Sequence, residues 1–438
     1  MPPAGPVAPS DSPPGEIEPR TNVNALPGDA TATHVISTSG SYFLTGNISI
    51  ATGVAIRIDV PAVYLDLNGF QISSAGSSCV EATAGLAVIE NGRVGAFTST
   101  INIVNGVVRN VISNATVPGE FVAVDSLVEG CRFDGGSFTR CIIENAQSAV
   151  SCDATESALR SCRLRNATIV RTIAESCLFA SVDAVDSTLR DCQSFSSSSP
   201  TAAFMLRRSA AESCVARDAV GFGFDLDEGS VAETCIAGSC GLSGFLVERS
   251  AVSACIAIDN TDFGFIIDSG AAAGCRAEGH STSVGFECLN ASSLTECVAT
   301  DNLGGFGLTG RSVAKACVAT GNTALGFFVN DGSVVQQCVA ADNGNSGIQL
   351  GINSRALGCW SSSNGNTGFV VGGATTGVEI LECSAVANAS QGFRQESPSL
   401  IAKNRATGNA VNYLLGMPGA TPVVSPGAGV GAWDNIEY

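Results

Sequence analysis

Gly229-Ser230-Val231-Ala232-Glu233-Thr234-Cys235 is followed by Arg249-Ser250-Ala251-Val252-Ser253-Ala254-Cys255 and, further on, by Gly332-Ser333-Val334-Val335-Gln336-Gln337-Cys338. Each stretch is a serine, an apolar alternation and a cysteine. The alternation is that of a strand with one buried face. The closing cysteine returns as Cys192, Cys214, Cys235, Cys255, Cys275, Cys297, Cys317, Cys338, Cys359 and Cys383, in steps of 20 to 24 residues. A fixed period of this size marks a stacked repeat.

A second landmark keeps the same period. Gly223-Phe224, Gly244-Phe245, Gly264-Phe265, Gly285-Phe286, Gly305-Phe306 and Gly326-Phe327 imply a second strand in each repeat. Between the two lies a polar turn with a recurring asparagine at Asn260, Asn302, Asn322, Asn343 and Asn364, where His280 replaces Asn once. About 21 residues hold two or three short strands and their turns, and leave no room for a helix of ten residues or more. The leucine-rich, ankyrin and tetratricopeptide consensus patterns are absent. The fold class that remains is all-β, a solenoid of parallel strands with one coil per repeat. Coils stack at about 4.8 Å, so like residues pile into columns. Cysteine, phenylalanine and valine then face inward, and asparagine amides bond from coil to coil.

On these features the chain resembles the right-handed parallel β-helix proteins of the pectate-lyase-like superfamily, over roughly residues 40–412. Ile17-Glu18-Pro19-Arg20-Thr21, Val63-Tyr64-Leu65-Asp66-Leu67-Asn68-Gly69-Phe70 and Trp433-Asp434-Asn435-Ile436 are similar to segments of secreted bacterial β-helix repeat proteins. The superfamily includes lyases, hydrolases, epimerases, adhesins and phage spikes, so the resemblance implies a fold and leaves the function open.

Residues 1–30 read as a Pro-rich extended arm. Residues 31–412 read as the β-helix, with irregular N-terminal coils and a cap over 31–115 and repeat coils over 116–412. Residues 413–438 read as a covering segment, with Trp433 and Tyr438 as apolar plugs. Between 120 and 200 cysteines fall at 131, 141, 152, 162, 177 and 192. That spacing suggests two cysteines per coil as far as Cys162 and shorter coils afterwards.

Net charge is −18, from 22 basic against 40 acidic residues. This argues against nucleic acid, whose binders show basic patches, and against anionic membranes. No run of 18 apolar residues suggests membrane insertion. The sequence shows no charged-then-apolar leader; the resemblance implies a secreted or cell-surface protein whose leader has been removed. Eighteen cysteines in such a compartment would ordinarily imply disulfides. A column of identical inward cysteines instead reads as small buried hydrophobes with thiols left reduced. Cys79, Cys240 and Cys288 stand off the period. No paired CxxC and only two histidines, His34 and His280, argue against zinc.

Three coils place carboxylates at matching positions, Asp227, Glu248 and Asp268, with Asp225 and Glu228 beside the first and Arg249 next to Glu248. Stacked carboxylates of this kind can hold Ca²⁺, and the resemblance implies lyases that use Ca²⁺ with an Arg or Lys base. The plainer reading is a solvated acidic turn, with no cofactor expected. Asp259 and Asp262 flank Asn260, but Asp301 and Asp342 recur beside Asn302 and Asn343, which favours a turn role. The repeat is barely interrupted, except near 111–121 and around Gly372-Gly373-Ala374-Thr375-Thr376. The sequence therefore points to a non-catalytic scaffold or binding protein that contacts polysaccharides or surface proteins along an elongated flank. The alternatives are a lyase or glycoside hydrolase acting on an acidic polysaccharide, and a self-associating spike or filament subunit.

Overall fold

The computed structural model describes residues 19–96, 99–113, 120–195, 200–373, 376–416, 423–424 and 434–437, in two compact units, 1–164 and 165–438. Residues 1–18 of the arm, residues 114–119, Ala374, Thr375, Trp433 and Tyr438 lie outside the described residues.

In the second unit one coil comprises Phe222–Asp227, Val231–Glu233 and Ile236–Gly238, and the next Phe245–Glu248, Ala251–Ser253 and Ile256–Ile258. Phe224 pairs with Phe245, Ala232 with Val252 and Ala237 with Ala257, all in parallel. This is a parallel β-helix with three sheets, and parallel strands joined by a crossover take the right hand. The first sheet carries the phenylalanines. The second precedes the cysteine. The third is a three-residue strand between cysteine and asparagine, where the sequence pattern suggests only a polar turn.

The corners follow one plan: a residue in the left-handed region, then a small residue facing inward. Arg249 (φ 47°) precedes Ser250, Ala254 (φ 49°) precedes Cys255, and Asp259 (φ 50°) precedes Asn260. Away from glycine such a conformation costs about 1–2 kcal/mol, and inward hydrogen bonds offset it. Ser230 Oγ accepts the Ser209 N–H at 3.2 Å and donates to Leu206 O at 2.9 Å. Asn322 Oδ1 accepts the Asn302 N–H at 3.1 Å, and its Nδ2 donates to Ala299 O at 3.1 Å. Cys235 Sγ donates to Ala211 O at 3.5 Å. The thiol thus does weakly what the hydroxyl and amide do at the other corners. Types also exchange: Cys240 occupies the asparagine corner, where its N–H donates to Asn260 Oδ1 (2.9 Å), and Asn404 occupies the cysteine corner, where its Oδ1 accepts the Cys383 N–H (2.8 Å). All eighteen cysteines are buried, and no disulfide joins those from Cys192 to Cys383.

His280 is the misfit of the asparagine column. It is fully buried. Its N–H donates to Asn302 Oδ1 at 3.0 Å, and its Nδ1 lies 3.2 Å from both the N and O of Asn260. Nε2 has no partner, so either tautomer leaves a buried polar atom unmet. Burial holds its pKa below the usual value of 6.5. The unfolded chain therefore binds the proton more readily, and stability contributed by the neutral ring is lost as pH falls below about 6.5. His280→Asn restores the column. It is expected to stabilise the protein by about 1 kcal/mol and to reduce its acid sensitivity, read from urea denaturation at pH 5 and pH 7.5.

The core is a file of parallel rings. Phe204, Phe224, Phe245, Phe265, Phe286, Phe306 and Phe327 stack with centroids 4.7–4.9 Å apart and planes within 8°. From Phe224 onward the glycine before each ring is a packing requirement, where Ala203 suffices before Phe204: a Cβ on Gly244 would lie 2.8 Å from both Asn260 Nδ2 and Gly264 O. The Gly-Phe and Asn landmarks are therefore two sides of one contact.

In the first unit Ala32–Ile36 pairs with Val54–Ile58, and that with Ser78–Ala82, in parallel. Thr21–Asn22 adds to Tyr42–Phe43, and the buried Val23 follows in a single 3₁₀ turn. Arg20 bonds Asp66 at 3.0 Å and lies over the Tyr64 ring, so two segments that carry the resemblance meet here. The short coils begin earlier than the cysteine spacing suggested: Leu127 pairs with Ile142 and Ile142 with Ala158, steps of 15 and 16. Each gains its brevity by running the third and first strands together, as in Arg132–Thr139 and Gln147–Thr155. At the C-terminus Asn435 caps Asn404, accepting its N–H at 3.1 Å.

Candidate functional site: the outer flanks of the coils

The first sheet turns two outward columns to solvent, one and three residues after each phenylalanine. The second of these aligns Arg207 with Asp227 and Glu248 with Asp268. Leu226 pairs with Val247 just before, which puts Asp227 beside Glu248. The three sequence-selected carboxylates therefore do stack. Protein groups relieve their repulsion: Asp227 bonds Arg249 Nη2 at 2.6 Å, and Asp268 Oδ1 accepts from Asn290 Nδ2 and Ser269 Oγ, each at 2.9 Å. Among the described residues no group of three His, Cys, Asp or Glu is arranged to hold a metal ion.

The other column holds two carboxylates of unusual character. Asp225 sits between Met205 and Leu246, and Glu287 between Ile266 and Gly307. Burial, with Glu248 and Asp227 adding repulsion, pushes the Asp225 carboxyl up to about 6. Burial raises Glu287 as well, and its carboxylate lies over the bare face of Gly307. A carboxyl like that of Asp225 can carry a proton near neutral pH. Asp225 and Glu287 are three coils apart, about 14 Å at the sheet spacing. Paired glycosidase carboxylates lie about 5–9.5 Å apart. Glu248 and Asp227 are nearer, and the Asp227 carboxylate is bound to Arg249.

A carboxyl raised in the folded state favours folding below its unfolded pKa of 3.8, and that contribution is lost as pH rises through about 6. Asp225→Asn is therefore expected to be more stable than the parent at pH 7 and equal to it at pH 4, as read by thermal unfolding at the two pH values.

The remaining candidates are structural. Asp259, Asp301 and Asp342 are the left-handed residues of the asparagine corner (φ 50°, 57° and 55°). Burial pushes the Cys131 and Cys240 thiols up to about 11, far from a neutral-pH nucleophile. The second sheet is charged on its outer face, with Arg190–Glu212 at 3.2 Å and Arg355–Glu379 at 3.0 Å.

The third sheet is different. Its outer face shows Val298 and Thr300, Val318 and Thr320, Val339 and Ala341, Trp360 and Ser362, then Ser384 and Val386 on successive coils, in register. Those five coils carry no charge on this face. Trp360 is 45% exposed. The corner residues at its two edges include Glu296, Glu382, Asp301 and Asp342, all exposed or half-exposed.

No helix among the described residues is long and apolar enough to cross a membrane. No family model and no curated protein sequence matches the chain. Among solved structures it is similar to the A-module of Azotobacter vinelandii mannuronan C-5 epimerase AlgE4, at 14% identity and a TM-score of 0.35, over 87% of this chain and 91% of that one. It is also similar to tailspike protein 3 of bacteriophage CBA120, at 12% identity and a TM-score of 0.25, over 94% of this chain and 64% of that one. At that distance, what this chain does has to be read from its own residues.

Proposed function

We propose that the protein is a non-catalytic, secreted or cell-surface β-helix scaffold that binds glycans along a flank of its coils. The supporting observation is continuity. From Val215 to Thr407 each third-sheet strand pairs with the next at steps of 20 to 24 residues. A catalytic site needs acid, base and substrate brought together in a concavity. Here the carboxylates sit at repeating positions, and Arg249 and Asn290 hold two of the stacked three.

Asp225 favours a second reading, a lyase or hydrolase of acidic polysaccharides, because its carboxyl holds a proton near pH 6. The two separate in one assay. Polygalacturonate, alginate and uncharged glucans are incubated with the parent, Asp225→Asn and Asp227→Ala, with and without Ca²⁺. The scaffold reading expects no new reducing ends or unsaturated products. Product formed by the parent and lost in Asp225→Asn would establish the second reading in its place.

A further inference from the structure

We infer that the uncharged outer face of the third sheet, from Val298 to Val386, is the glycan-binding surface, and that its ligand is an uncharged polysaccharide. The inference rests on the glycan-binding reading above and assigns it a face and a ligand class.

Four observations select the occupant. The protein carries a net charge of −18, yet five consecutive coils present no charged group on this face. A polyanion would have to lie between edges that carry Glu296, Asp301 and Asp342, with Glu382 paired to Lys403 at 3.4 Å, whereas an uncharged chain meets no such repulsion. The chemistry is that of a sugar ring: Val318, Val339 and the half-exposed Trp360 offer apolar area for its C–H face, and Thr300 and Thr320 offer hydroxyls at the side. The sites repeat once per coil, about every 4.8 Å, close to the advance of one sugar along an extended glucan. A polymer can therefore use several weak contacts at once.

A second copy of the chain fits less well. Five strands of three residues cover about 240 Å², at 4.8 Å between coils and about 10 Å along each strand. A stable protein–protein interface takes about 800 Å² from each partner. The same acidic edges would also face each other across such a contact.

The test is binding of the full chain to amorphous cellulose by depletion from solution, with polygalacturonate binding measured in parallel. The variants are Trp360→Ala, Val318→Glu and, on the second sheet, Arg355→Ala. All three side chains point outward, and thermal unfolding checks that each variant keeps its fold. The expected result is saturable binding to cellulose, weakened about tenfold or more in Trp360→Ala, abolished in Val318→Glu and unchanged in Arg355→Ala. Cellulose binding that survives both third-sheet changes overturns the face while leaving the glycan-binding reading intact. Binding confined to polygalacturonate overturns the ligand class. A dimer in sedimentation that Trp360→Ala dissociates makes the face a self-association surface and overturns the inference. Binding to neither polysaccharide removes the glycan-binding reading along with it.

Discussion

Asn322→Leu is expected to destabilise the protein by about 3–5 kcal/mol, from at least two buried polar groups left unmet at about 1–3 kcal/mol each together with the lost bonds. Asn322 Oδ1 accepts from both the N–H and the Nδ2 of Asn302, at 3.1 and 3.2 Å. Its own Nδ2 donates to Ala299 O at 3.1 Å and to Asn343 Oδ1 at 2.9 Å. Leucine has similar volume and serves none of these. It would also press on Gly305, whose missing Cβ would lie 3.2 Å from Asn322 Nδ2. Asn322→His is expected to cost less, about 1–2 kcal/mol, because His280 fills the same corner two coils away in sequence order with one nitrogen unmet. Urea midpoints of the three proteins check the order. An Asn322→Leu midpoint equal to that of the parent would mean that the asparagine column does not hold the coils.

Phe265→Ala is expected to cost about 3–5 kcal/mol, the usual range for truncating a buried phenylalanine. The ring is fully buried between Phe245 and Phe286, at 4.7 Å from each. Neither neighbour can close the gap, because coil spacing is set by backbone hydrogen bonds on three sheets. Phe265→Ile is expected to cost less, since Ile348 already stands in this file between Phe327 and Phe369. Denaturant unfolding monitored by far-UV circular dichroism measures both.

The coil was legible because its corners admit few residue types. An inward corner residue is small and most often hydrogen-bonds to a neighbouring coil, so Ser, Cys and Asn recur where outward positions vary, with Gly270, Ala146 and Ala219 filling single corners by size alone. The same reasoning explains what was misread. Cys240 stands off the cysteine period, yet it fills the asparagine corner, where its backbone N–H meets Asn260 Oδ1 and its thiol donates to Gly238 O of its own coil. The cysteines were read as plain hydrophobes, and their burial agrees, but their Sγ–H groups also donate to carbonyls. The third strand has no landmark of its own in the sequence because each copy has three residues and one inward side chain, usually alanine, as at Ala237, Ala257 and Ala277. Three residues are too few for a period to register.

The flanks were legible in part. The alignment of Asp227, Glu248 and Asp268 follows from the period alone. The raised carboxyl of Asp225 does not, because it depends on Met205 and Leu246 packing on either side and on Glu248 and Asp227 in front. The uncharged face is spread over residues 298 to 386 as strands 20 to 24 residues apart. Its signal in the sequence is the repeated Val-Ala-Thr at 298–300 and 318–320, which marks a face only once the third strand is known.

The most direct measurement mixes the parent protein with amorphous cellulose, then assays the supernatant for both remaining protein and released sugar. A scaffold that binds uncharged glycans without chemistry predicts saturable loss of protein from solution and no released sugar. Sugar appearing in the supernatant, or protein remaining wholly in solution, would contradict it.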